Sequence, residues 1–224
     1  MNWLGRPNPL RCRSSQGLPR FRTFTMPLSP SATPPFGLFS GRRFTPAASL
    51  KPLLEGHSQL LVPGPETVWA IGEVDLGASM HLLRFYLDDQ DYWLQVLMNG
   101  SEVGDTVLFG YHSAVPIRDA SHLQRLVGSQ SKVGLPIYEH DGYLYSRQWG
   151  HEAGQAKLVP LHERVTSPDA RYGIQHLSML YARDTGLPER REFLLLSAEE
   201  DEQGHATFTT SLGVTLHPTD FHVT

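Results

Sequence analysis

Asp88, Asp89 and Asp91 place three carboxylates within four residues, and oxygen donors at that density could gather a hard cation such as calcium or magnesium. The stretch lacks the glycine and the distant bidentate glutamate of a helix-loop-helix calcium site, so it reads instead as a solvated turn. No metal is expected there. Arg84, Arg147 and Arg183 pose a different question, because each stands inside an aromatic run where a buried guanidinium must find a carboxylate, a ring face or a bound anion. One reading pairs them internally with Glu73, Asp75, Glu163 or Glu192. The other gathers Arg84, Arg147 and Arg183 with Tyr145 and Trp149 into a pocket for an anionic ligand.

The remaining chemistry is mostly excluded. His151-Glu152 and His162-Glu163 resemble the start of a zinc-protease helix, but Gln155 and Thr166 stand where the second histidine belongs. No phosphate-cradling glycine loop, nucleophile elbow or dinucleotide fingerprint occurs. The single cysteine, Cys12, rules out a disulfide framework or a Cys-based zinc site. No catalytic residue and no cofactor are expected.

The elements that must position these residues are strands. From residue 66 onward, short runs rich in Val, Tyr, Phe, Trp and Leu alternate with Gly, Asp, Asn and Pro. The runs predict strands over Thr67–Asp75, Met80–Leu87, Tyr92–Met98, Thr106–Tyr111, Gly142–Trp149, Leu158–Thr166, Ile174–Arg183, Glu192–Ala198 and His205–Ser211. Residues 88–91 form the tip of one hairpin. Asp141-Gly142, a pair that tolerates positive φ, closes another that starts at Pro136–Tyr138. One helix is predicted after Asp119, with Leu123, Leu126 and Val127 on one face and Gly128 as a left-handed terminator, covering an open sheet end. Several strands are apolar on both alternating sets, so the fold class is α+β, mainly β: an antiparallel sandwich or strongly curved sheet with one short covering helix.

Charge divides the chain. Residues 1–54 hold eight of the nineteen Lys and Arg, nine of the seventeen prolines and no acidic residue, which leaves the remainder at −12. The first segment is expected to be a disordered basic, Pro-rich tail, with an initiation site at Met26 or a transit or nucleic-acid arm as further readings. Residues 57–224 are expected to form a single domain. Its acidity argues against nucleic acid or anionic lipid on the folded surface and suits the basic face of a protein partner. No run approaches the roughly 18 apolar residues of a membrane-spanning helix.

Ala70–Gly77, Leu83–Val96, Gly134–Tyr138 with Tyr145–Gly150, and Met179–Arg183 with Arg191–Ser197 together resemble the YjfK-like family of uncharacterised bacterial proteins. The resemblance implies a cytoplasmic protein encoded beside membrane-associated stress proteins, with no catalytic residues to carry over. The expected function is therefore a non-enzymatic cytoplasmic accessory module that binds a membrane-associated stress protein through Asp88, Asp89 and Asp91. The alternative is a small-ligand protein or enzyme built on the Arg/aromatic anion pocket.

Overall fold

A computed structural model describes residues 34–224. Twelve antiparallel strands form one continuous sheet, in the order β12 (Phe221–Val223), β1 (Arg43–Pro46), β2 (Glu66–Gly77), β3 (Met80–Leu87), β4 (Tyr92–Asn99), β5 (Glu102–Pro116), β11 (Ala206–Thr215), β10 (Arg191–Asp201), β9 (Arg171–Asp184), β7 (Tyr143–Arg147) and β6 (Ile137–His140), with β8 (Val159–Thr166) bonded to both β2 and β9. That double pairing closes a barrel. Its eight staves are β2, β3, β4, β5, β11, β10, β9 and β8. Closure leaves no unpaired edge among these staves, which answers the aggregation hazard of a long open sheet.

All nine predicted strands are present, and Met80–Leu87 has the predicted bounds. Both predicted hairpins turn where expected: residues 88–91 join β3 to β4, and Asp141-Gly142 joins β6 (Ile137–His140) to β7 (Tyr143–Arg147). Apolar residues on both strand faces have separate uses. The lumen face carries Trp93, Val107, Phe109, Ala182, Phe193 and Leu195, whereas Phe85, Leu94, Val96, Leu108, Leu194, Leu196 and Val214 belong to a larger core on the outer wall.

That outer core is covered by Leu38, Phe44, Leu50 and Leu54, all residues of the segment expected to be a disordered tail. β1 (Arg43–Pro46) pairs with β2 and with β12 (Phe221–Val223), and α1 (Leu50–Leu54) follows. Residues 34–54 are therefore part of the fold, which corrects the expected tail over that stretch. The physical reason is that isolated apolar side chains between prolines can anchor singly, and a pattern search for helical or strand periods does not register them. The rest of the expected tail, 1–33, lies outside the described residues.

The predicted helix is α2 (Ala120–Val127), and the Asp119 side chain accepts from the His122 amide as an N-cap should. Two details differ. None of its residues is fully buried, so it lies at the periphery, and Gly128 has φ −76°, so the terminator is not left-handed.

Candidate functional site

Register and alternation place one row of side chains from each stave inside the barrel. Arg84 on β3 pairs with Gly72 on β2 and Gln95 on β4; Glu163 stands on β8, one strand beyond β2, and faces Ile174 on β9, while Glu199 on β10 faces His176 on β9. These polar residues meet across the lumen. Arg84 donates to Glu163 at 2.6 Å and to Gln95 at 3.1 Å, Tyr86 donates to Glu163 at 2.8 Å, and the His176 Nε2–Glu163 separation is 2.9 Å. His176 Nδ1 lies 3.6 Å from Glu199, whose carboxylate also accepts from Thr209.

Glu163 can reach Arg84 only by crossing β2, and β2 has a glycine at the crossing. A Cβ on Gly72 would lie 1.7 Å from Glu163 Oε1. Burial alone would raise the Glu163 carboxyl, but the Arg84 charge and the bonds to His176 and Tyr86 outweigh it and hold it at about 2. Burial likewise works against charge on His176, and its bonds to Glu163 and Glu199 reverse the balance, so its imidazole titrates above its ordinary value. Arg84, His176 and the side chains of Glu163 and Glu199 thus occupy the middle of the barrel, turned on one another.

The two ends of the lumen differ. At the Leu82/Leu161 end, Trp149 packs against the cluster of Val74, Leu82 and Leu161, against the Trp93–Phe193 cluster and against the outer-wall core, and so acts as a plug. Its loop is held by Arg147, which donates to the carbonyls of Gly134, Glu152 and Gly154. The opposite end carries a cavity of about 50 Å³ lined by the rings of Trp69, Tyr86, Tyr111 and Tyr172 and by Glu199 and Asp201. Trp69 is the extra residue of a bulge between the Val68 and Ala70 pairings, an irregularity that re-aims a side chain at a barrel rim. Asp201 is bonded to His205 at 2.9 Å.

The aspartates predicted as a partner contact lie beside this mouth. Asp88, Asp89 and Asp91 are exposed on the β3–β4 turn, whose Gln90 lines the cavity. Burial, and then a hydrogen bond with Asp88, push the neighbouring Glu66 carboxyl up to about 7, while that same bond lowers Asp88. The rim is strongly acidic.

The five residues of the expected anion pocket are distributed over three places. Arg84 is inside the barrel; Arg147 and Trp149 form the plug; Arg183 and Tyr145 stand on the outer wall, where both bond to the buried Glu192. Arg183 also lies over the Tyr143 ring at 4.1 Å and donates to the His57 carbonyl. Two expected carboxylate partners, Glu163 and Glu192, are the observed ones, whereas Glu73 meets Arg164. His176, Glu199, Trp69, Tyr111 and Tyr172 were not singled out by sequence reasoning. A signal existed for two of them: within β9 and β10, His176 and Glu199 share an alternating set with the apolar Ile174, Leu180, Phe193 and Leu195, which Ser178 and Ser197 also interrupt.

A family model described as protein of unknown function (DUF2491) matches residues 15–222. The chain belongs to that family. This corrects the resemblance to the YjfK-like family, which rested on short strings of residues common to many aromatic strands. No curated protein and no solved structure matches the DUF2491 chain. No helix among its described residues is long and apolar enough to cross a membrane.

Proposed function

We propose that this DUF2491 chain is a non-enzymatic binding module whose barrel mouth takes up a cationic group, presented by a protein partner as a lysine or arginine side chain. The carrying observation is the convergence of four aromatic rings with Glu199 and Asp201 on one cavity. Ring faces attract a cation by about 0.5–2 kcal/mol each as water is excluded, and carboxylates beside them add a charge partner. Size favours a side chain over a metabolite, because about 50 Å³ is far below the roughly 300–1,000 Å³ of ordinary small-molecule sites. The acidic turn at Asp88, Asp89 and Asp91 supports the reading, since exposed charge beside the mouth would steer a basic partner toward it. The link to envelope stress rested on the family resemblance alone and is not carried further.

The test is titration of the full chain with a lysine-rich peptide and with choline, followed by tryptophan fluorescence. Saturable binding of the peptide, weakened about tenfold by Tyr172→Leu, is expected. Binding of choline without the peptide would move the reading to a free organic cation, and binding of neither would overturn it.

A further inference from the structure

His112 on β5 and the adjacent pair His140-Asp141 of the β6–β7 hairpin come together outside the barrel lumen, and none of the three lines the cavity. Their donor atoms all lie within 4.8 Å of one another, with His112 Nε2 and His140 Nε2 at 3.6 and 3.7 Å from Asp141 Oδ2. Bonds of about 2.0 Å at the tetrahedral angle put zinc ligands roughly 3.3 Å apart, so the two nitrogen–oxygen separations need close by only a few tenths of an ångström. The two imidazole rings stand edge to face with centroids 4.8 Å apart.

Three features of the backbone and packing aim these groups. Pairing of β5 with β11 runs Ser113↔Thr210 and then Tyr111↔Ser211, which makes His112 the extra residue of a β-bulge. Asp141 holds φ +49° at the first position of the β6–β7 turn, a conformation Asp tolerates better than most residues, and this sets its carboxylate beside His140. Finally, His140 Nε2 is buried and makes no hydrogen bond among the described residues, although a buried ring nitrogen ordinarily finds a partner.

We propose that His112, His140 and Asp141 form a binding site for a first-row divalent transition metal ion, zinc being the simplest occupant. Two imidazoles and one carboxylate suit zinc, cobalt, nickel or copper and not the all-oxygen preference of calcium or magnesium. Water completes the coordination, because His112 and Asp141 are 40% and 53% exposed on their side chains. An ion here would clasp the β6–β7 hairpin to β5. That hairpin is otherwise the outer edge of the sheet, and its backbone joins the barrel through the short β7–β9 ladder.

The experiment uses the full chain stripped with a chelator and titrated with zinc against a chromophoric competitor, and in parallel with cobalt by visible absorption. One equivalent of zinc should bind, cobalt should give the intense bands of a four-coordinate site, and zinc should raise the midpoint of thermal unfolding. His112→Ala and Asp141→Asn should each weaken zinc binding by at least about tenfold, since even the outer-shell partners of metal ligands are worth about that much. Both residues are exposed, and asparagine keeps the turn, so the metal-free variants should unfold at the parent midpoint. Equal zinc affinity in the parent and both variants would assign binding to other histidines and overturn the site, as would absence of binding at millimolar zinc.

Discussion

The substitution Gly72→Ala isolates the ionic network from every other source of stability. Alanine is the better strand residue, and on backbone grounds alone the change should stabilise the protein by about 0.5–1 kcal/mol. The added methyl would instead lie 1.7 Å from Glu163 Oε1 and 2.8 Å from Cδ. A free glutamate end could swing away, but this one is held by Arg84, Tyr86 and His176 together. Expelling it strands the Arg84 guanidinium, 3% exposed, without its counter-charge, and breaking a buried pair on one side costs about 3–5 kcal/mol. The net expectation is a loss of about 2–4 kcal/mol, or roughly 5–15 °C in Tm for a domain of this size. Urea unfolding of the parent, Gly72→Ala, Glu163→Ala and the double variant forms a cycle. Gly72→Ala should be costly alone and neutral or favourable once Glu163→Ala has vacated the space. A Gly72→Ala protein as stable as the parent would refute the crossing of β2 by Glu163.

Further outcomes follow from the same geometry. Arg84→Met, which leaves Glu163 and His176 to share the lumen, should lower stability by about 3 kcal/mol or more in urea unfolding. Glu163 titrates in the unfolded chain near its ordinary 4.5 and in the barrel at about 2. Its contribution of about 3 kcal/mol is therefore complete above pH 4.5 and disappears as pH falls toward 2. His176, raised in the folded state, contributes fully below its ordinary 6.5 and loses that contribution as pH climbs through its folded value. Denaturant midpoints across pH should thus peak between about 4.5 and 6.5 for this network, and Glu163→Ala should flatten the acid limb. Trp149→Ala, which unplugs the barrel, should cost about 3–5 kcal/mol and open the lumen to a hydrophobic dye, read as enhanced dye fluorescence.

Strand positions were legible in the sequence because alternation and turn chemistry are local: Met80–Leu87 carries its period and its acidic turn within a dozen residues. Barrel closure was not, since the pairing of β8 with β2 joins Glu163 to Val74 across nearly ninety residues with no local mark. The need of Arg84 and Arg183 for carboxylates was legible from their aromatic surroundings, and Glu163 and Glu192 were among the named candidates. The cavity was hidden for a different reason. Trp69 enters it through a bulge, and Tyr86, Tyr111 and Tyr172 read individually as ordinary core aromatics until four staves bring them to one rim. The anchoring of residues 34–54 by Leu38, Phe44, Leu50 and Leu54 depends on an outer wall that exists only once the barrel has closed.

The central claim is that the acidic, aromatic mouth recognises positive charge, and a single comparison addresses it. Acetylating the lysines of a binding peptide removes the charge while keeping the aliphatic stem, so contact area is retained and the cation is not. The full chain should bind the unmodified peptide at least about tenfold more tightly than the acetylated one, the difference that one desolvated cation–ring contact supplies. Tyr172→Leu should reduce that ratio. Equal affinity for the two peptides would contradict the account.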